Sequence, residues 1–263
     1  MKIGLYGNPY RDISNAIDKV VEVFQEVYIS KDIGGNYDNE FINENCDVII
    51  SIGGDGTLLR CAKKFKKPII GIKVGKLGFL TFFNLEDLEN IKNALFSGKY
   101  LLEERNRLKI YLNNIELDSA LNDFSVNTIS GRGLDIIVKS DNSTITSFYG
   151  DGIIISSASG STAYNLSAGG PILHPLVKAY IVTPICPHNL SARPIVLPKE
   201  VMLTITIKSK FGSWRINSDG ELIKKCEGEL SFSVELSDEK TALIKLENTD
   251  NFFEILRKKL NFS

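Results

Sequence analysis

Histidine, tryptophan and methionine are scarce in this chain, and its cysteines are few and scattered. With only two histidines, His174 and His188, and four cysteines that form no C-x-x-C pair (Cys46, Cys61, Cys186 and Cys226), there is little from which to build a zinc site. Four reduced thiols are the expectation. The lack of histidine also weighs against a serine hydrolase. Ser159 or Ser161 would need an imidazole base, and neither sits in a G-x-S-x-G elbow. Net charge is missing as well: 31 basic against 32 acidic residues leave −1, which gives no electrostatic case for nucleic acid or an anionic membrane. A small-molecule partner is the alternative. No apolar run approaches the ~20 residues that span a bilayer, and the strand-like Lys2–Tyr6 begins at once, with no stretch that reads as a signal peptide. A cytoplasmic protein is therefore expected.

What the chain does have is length for two cores, and two contrasting patterns to fill them. In the first third, strands alternate with helices. Lys2–Tyr6 reads as a strand, and Ile13, Ala16, Ile17, Val20, Val21 and Phe24 fall on one face of a helix. Val27–Ser30, Val48–Ile52 and Pro68–Ile72 read as further strands. Asn84 reads as the cap of a helix carrying Leu85, Leu88, Ile91 and Leu95 that stops at Gly98. This pattern predicts right-handed βαβ units, a parallel Rossmann-like sheet and ligands at the carboxyl ends of its strands.

From about Tyr100 the period becomes two. Leu108–Leu117 with an Asn113-Asn114 turn, Ile136–Val138, Val201–Ile207, Ser213–Ile216, Leu230–Leu236 and Ala242–Leu246 read as strands. A short helix is expected within 160–170. Asp250 is expected to cap a terminal helix bearing Phe252, Phe253, Leu256 and Leu260. The organisation predicted is an α/β domain over 1–98, a mainly β domain over 99–249, and a C-terminal helix over 250–263 that packs back on the first domain.

Two stretches carry chemistry. The apolar run Val48–Ile52 stops at Gly53-Gly54-Asp55-Gly56 and restarts as a helix with Thr57, Leu58, Leu59 and Arg60. Glycines allow a backbone to pass close to a ligand, and a helix start attracts anions. A carboxylate at such a place suggests a metal or a hydroxyl to deprotonate. The same residues also read as a plain turn with Asp55 capping the helix. The second stretch, Asp151–Pro171, runs from a strand into Ser157, Ser159, Ser161 and Thr162, small hydroxyl residues suited to a ribose or phosphate. A flexible loop with a serine cap explains that composition equally well.

In order and spacing, Gly53–Thr57, Leu77–Thr81, Leu121-Asn122-Asp123, Gly160–Pro171, Arg193–Ile195 and Asp219-Gly220 resemble the NAD kinase family over nearly the whole chain. A Gly-Gly-Asp-Gly turn alone is shared with lipid kinases and phosphofructokinases; the Gly160–Pro171 match is far more specific. The resemblance implies phosphorylation of the adenosine ribose 2′-hydroxyl of NAD to NADP, with ATP or polyphosphate as donor and a divalent metal, Mg²⁺, as cofactor.

It further implies Asp55 as proton acceptor and Gly53, Gly54 and Thr57 as a phosphate loop. Gly56, Arg60, Phe79, Asn122, Asp123, Tyr149, Asp151, Thr162, Ala163, Tyr164, Asn165, Leu166, Ser167, Cys186 and Glu221 would form the NAD site, in a cleft between the domains. Asn122 and Asp123 would hold the adenosine, with Phe79 walling the adenine. Where relatives carry Thr-Pro-Thr this chain has Ser157-Ala158-Ser159, which keeps the hydroxyls and loses the proline's fixed φ. Tyr149 stands where some relatives carry arginine. A homodimer or homotetramer is expected from the resemblance and from exposed β edges. A lipid or sugar kinase sharing the glycine-acid turn, and a dinucleotide sensor without turnover, are the alternatives.

Overall fold

The computed structural model describes residues 1–75, 78–141 and 143–260, with the side chain of Phe211 left aside. Leu77, which opens the second motif, lies outside the described residues. Contacts divide the chain into two compact units, Met1–Glu104 with Thr241–Ser263, and Arg105–Lys240.

The first unit is α/β. Its elements are β1 (Ile3–Gly7), α1 (Ser14–Val23), β2 (Val27–Ile29), α2 (Asn39–Asn45), β3 (Val48–Ile52), α3 (Asp55–Lys64), β4 (Ile69–Ile72) and α4 (Leu88–Ser97). β1 lies between β2 and β3, and β3 pairs with β4, all parallel. β1, β3 and β4 are buried at every position, as parallel strands covered on both faces require. Ile3, Leu5, Ile50, Ile52, Ile70 and Ile72 pack against Ala16 and Val20 of α1 and Ile91 and Leu95 of α4. Val21, read from the sequence as part of the apolar face of α1, is 43% exposed. Asn84 and Asp87 form a capping box at a short 3₁₀ turn ahead of α4, and Gly98 closes that helix at φ 71°. α2 went unread because its seven residues bury only Ile42.

The second unit is β throughout apart from one short helical stretch. It holds β5 (Leu101–Leu112, from Arg105 on), β6 (Ile115–Ala120), β7 (Asp123–Thr128), β8 (Leu134–Ser140), β9 (Ser143–Gly150), β10 (Gly152–Ser157), α5 (Tyr164–Ser167), β11 (Ala179–Ile185), β12 (Ile195–Pro198), β13 (Leu203–Ser218) and β14 (Glu221–Lys245, up to Lys240). The antiparallel order β12-β11-β10-β7-β13-β14 forms its frame, with β8 pairing along β13 and β9 pairing with β8. Asn113 and Asn114 both take positive φ, 52° and 62°, in the β5–β6 hairpin, as a type I′ turn demands. β11 is buried at all seven positions; a continuous apolar run carries no period-two signal.

The last turn of the chain corrects one expectation. α6 (Phe252–Leu260) belongs to the first unit, and its cap is Asn251, which exchanges hydrogen bonds with Glu254. Asp250 instead accepts from Lys258 Nζ at 2.6 Å.

Candidate functional site

In the first unit, the glycine-acid turn falls at the carboxyl end of β3, where α3 begins. Asp55 does not cap the helix. Gly54 occupies the cap position without a side-chain bond, and Asp55 is the first helical residue. Its carboxylate reaches instead into the segment after β4. Oδ2 accepts from the N–H of Phe79 at 2.6 Å, while Oδ1 accepts from Leu80 N (3.0 Å), Thr81 N (3.2 Å) and Thr81 Oγ1 (3.2 Å). Four donors fix the group, and three of them are on one oxygen. Oδ2, with a single donor, keeps lone-pair capacity for another.

The glycines divide in role. A Cβ on Gly53 would meet Thr57 Oγ1 at 2.4 Å, whereas Gly54 and Gly56 would meet nothing within 4 Å. The freedom of Gly53 (φ 154°) therefore serves internal packing, and the open sides of Gly54 and Gly56 are available to a ligand. Thr57 is 2% exposed, so its side chain turns inward and the phosphate-loop role expected for it does not follow from its placement. The N–H groups of Asp55 and Gly56 have no partner among the described residues, as an anion-binding helix start requires. Arg60 reaches Thr57 Oγ1 at 3.5 Å, and its buried Nε has no partner. Phe79 packs on Phe252, with Lys259 Nζ 4.7 Å from its ring centre.

In the second unit the remaining candidates gather on β7 and β10. The start of β7, the end of β10 and the end of β13 coincide, since Asp123 pairs with Ser156 and Phe124 with Ser218. Here Leu121-Asn122-Asp123 is held on every side. Its three N–H groups donate to the carboxylate of Asp219 at 2.9, 2.7 and 3.1 Å. Its carbonyls accept from Ser157 Oγ (2.6 Å), Ser157 N (2.8 Å) and Asp219 N (2.9 Å). The tripeptide backbone is thus fully satisfied, yet the buried Oδ1 of Asn122 has no partner. An unpaired buried acceptor is costly, and a ligand donor would relieve it.

Beside it, burial and then the negative charge of Asp219 push the Asp123 carboxyl up from 3.8 to about 7. The folded chain keeps a proton there that the unfolded chain releases, so this contribution to stability is complete below about pH 4 and is lost as pH rises through about 7. Unfolding free energy is expected to decline across that window, and Asp123→Asn to flatten the decline. Urea titrations at pH 5 and pH 7.5 measure both.

The segment after β10 is a 3₁₀ turn (Ser159–Thr162) broken at Ala163 from the four-residue α5, shorter and less regular than the helix expected. Thr162, Ala163 and Leu166 are half-buried, Ser167 is exposed, and Tyr164 is 40% exposed, its hydroxyl accepting from Asn127 Nδ2 at 3.2 Å. Asn165 differs from the expectation of a ligand contact. Fully buried, it donates to Ser161 O and Pro171 O and accepts from Thr183 Oγ1, so its side chain ties the loop together.

At the other end of β10, Gly150 lies against the Ile185–Pro187 backbone, and His188 N donates to Tyr149 O, which brings Tyr149, Asp151 and Cys186 near one another. Tyr149 meets the His188 ring edge-on at 5.0 Å. Glu221 is exposed at the start of β14.

Several contributors were not read from the sequence. Asn127 holds Tyr164 and is itself bonded by Asn217 Nδ2 at 3.3 Å. The signal was there, since Asp123, Ser125 and Asn127 alternate with the buried Phe124 and Val126. Thr81 and Gly78 lie in the Leu77–Thr81 motif, but nothing in it announces that they build the Asp55 cradle. The lost proline is compensated: Ala158 already sits at φ −58° and ψ −37° after an extended residue, with no partner for its N–H among the described residues. Ala158→Pro is expected to stabilise the fold by about 0.4–1 kcal/mol, read as a higher urea midpoint.

A fixed carboxylate beside an open helix start in an α/β unit, and a hydroxyl-rich loop in a β unit, are the arrangement expected of a two-domain kinase. Residues 19–100 match the ATP-NAD kinase N-terminal domain and residues 121–246 the ATP-NAD kinase C-terminal domain. The chain is 39% identical to an NAD kinase of Chlorobium phaeobacteroides over 84% of this chain and 79% of that one, and 34% identical to an NAD kinase of Campylobacter lari over 99% and 95%. This protein belongs to the NAD kinase family. Among solved structures, an NAD kinase from Archaeoglobus fulgidus in complex with ATP superposes with TM-score 0.79 at 25% identity, covering 99% of this chain and 98% of that one. The yeast NADH kinase complexed with NADH gives 0.87 at 23% identity, over 100% and 88%, a likeness of fold.

Proposed function

We propose that this protein is an NAD kinase that transfers the terminal phosphoryl group of ATP, or of polyphosphate, to the 2′-hydroxyl of the adenosine ribose of NAD, giving NADP. The observation that carries the reading is the Asp55 carboxylate, immobilised by four donors with one oxygen still able to accept. Phosphoryl transfer depends mainly on alignment and charge neutralisation, and a ribose hydroxyl needs a base as it attacks. Asp55 Oδ2 takes that proton. The N–H groups of Asp55 and Gly56 and the open sides of Gly54 and Gly56 receive the donor's phosphates. Asn122 Oδ1 accepts from the adenosine, Asp123 lies beside it, and Tyr164, Tyr149, Asp151, Cys186 and Glu221 line the dinucleotide site.

The ATP bound by the Archaeoglobus enzyme supports the donor class. Mg²⁺ enters with the phosphates of the donor substrate. Among the described residues no group of three or more His, Cys, Asp or Glu is placed to hold a metal, and Mg²⁺ is commonly carried by phosphates and water with one or two carboxylates. The protein acts in the cytoplasm as a homodimer or homotetramer.

Purified protein with NAD and Mg-ATP, then with polyphosphate, is the test, NADP being read by a coupled dehydrogenase. NADP formation is expected. Its absence with both donors sinks the enzyme reading, with NAD binding alone favouring a sensor and the phosphorylation of lipid or sugar favouring another kinase.

A further inference from the structure

The motif Asp219-Gly220 has no part in the chemistry above, yet Asp219 makes an unusual set of contacts. It sits in the tight turn between β13 and β14 at φ 49°, followed by Gly220 at φ 83°. From there its two oxygens accept three consecutive backbone N–H groups, those of Leu121, Asn122 and Asp123, while its own N–H returns to Asp123 O. Three successive N–H groups turned to one side form an anion nest. In this protein the anion is a side chain 96 residues or more away in sequence. A capping role for the β13–β14 turn alone would not need bonds to all three residues.

We propose that Asp219 is a positioning residue for dinucleotide binding: its carboxylate clamps the Leu121–Asp123 backbone so that Asn122 Oδ1 and the Asp123 carboxyl are presented to the adenosine end of NAD. This rests on the reading of Asn122 and Asp123 as substrate contacts. Among the described residues, the clamp leaves Asn122 Oδ1 as a buried acceptor with no partner. The same carboxylate also stands as a like charge beside Asp123 and favours the protonated form there. The other groups at Asp123 are uncharged: from β10 come the hydroxyls of Ser156 and Ser157. The buried Arg105 donates to Ser159 Oγ, and Glu221 is exposed. Asp219 therefore fixes the place of the adenosine contacts, and adds to the effect of burial on the protonation of Asp123, without touching substrate.

The test is Asp219→Asn in the full-length enzyme. Asparagine retains one acceptor oxygen and sets an NH₂ against the backbone donors, so the loop loosens while the fold keeps its turn. The Michaelis constant for NAD is expected to rise about 10- to 100-fold, with that for ATP and kcat within about threefold of wild type, the pattern of lost ground-state binding. The inflection near pH 7 in the dependence of KM for NAD is expected to move to lower pH as the neighbouring charge is lost. An unchanged KM for NAD, or equal losses toward both substrates with an unmoved inflection, overturns the proposal.

Carboxyl ¹³C NMR of the wild-type protein, assigned with Asp123→Asn, needs neither a folded Asp219 variant nor turnover. Asp123 is expected to titrate near 7, and titration of Asp123 in the ordinary carboxylate range overturns the proposal. Because the NMR arm reads no NADP, failure of the NAD kinase reading and failure of the clamp are distinguished.

Discussion

Asp55→Asn is expected to lower kcat for NADP formation by about 10²- to 10⁴-fold, the usual contribution of a positioned base, with the Michaelis constants changed little. The cradle decides which way the new amide lies. Three donors converge on Oδ1, from Leu80 N, Thr81 N and Thr81 Oγ1, so the amide oxygen takes that position. The NH₂ then replaces Oδ2, the atom with spare accepting capacity. There it faces the N–H of Phe79, which donates to Oδ2 at 2.6 Å in the native chain, and it offers the ribose hydroxyl no lone pair. The variant thus fails at the one atom the mechanism uses, while the backbone of α3 stays fixed by β3 and by Leu58, which is fully buried. Initial rates at saturating NAD and Mg-ATP measure the loss. Wild-type kcat from Asp55→Asn would remove Asp55 as base and leave membership of the family untouched.

The sequence was legible where a physical rule acts locally. Continuous isoleucine runs marked β3 and β4, since strands buried on both faces have no polar alternation to read. Asn84 and Gly98 marked the ends of a helical stretch, since capping and positive φ restrict residue type. The candidate residues of each unit could be named because motifs recur as short strings. What those residues do in the fold was less accessible. Thr57 reads as a hydroxyl for phosphate, but it packs back against Gly53 at the start of α3 and is buried. Asn165 reads as a ligand contact, yet its amide is spent on Ser161, Pro171 and Thr183. Asp250 reads as a helix cap and loses that place to Asn251, whose spacing to Glu254 forms the box. In each case the packing of a particular neighbour, or one residue of register, decided between roles that the residue type leaves equal. The accepting partners of the Leu121–Asp123 amides illustrate the limit, because nothing near that tripeptide announces Asp219.

Gly78→Ala is expected to cost nearly as much activity as removing the base, although position 78 carries no functional group. A Cβ there would stand 1.9 Å from Asp55 Oδ1, 2.3 Å from Thr81 Oγ1 and 2.7 Å from Asp55 Cγ. Real Cβ contacts never come so close, so something must yield. Asp55 is anchored through its backbone in the first turn of α3, and Leu80 and Thr81 are buried, which leaves rotation of the Asp55 side chain as the cheapest response. Rotation gives up the three bonds to Oδ1 and carries Oδ2 away from the place where the hydroxyl must meet it. A displacement of about 1 Å at a reacting group is enough to cost about 10²-fold, so a fall in kcat of at least that size is expected. Combined with Asp55→Asn, Gly78→Ala should add almost nothing, because two changes acting through one group are not additive. Gly54→Ala is the steric control: among the described residues the new Cβ meets no atom within 4 Å, so the thermal midpoint is expected to hold, and any lost activity reports the approach of the donor's phosphates. A Gly78→Ala enzyme with wild-type kcat, or a double variant far below both singles, would mean that Asp55 does not act from the cradle formed by Phe79, Leu80 and Thr81.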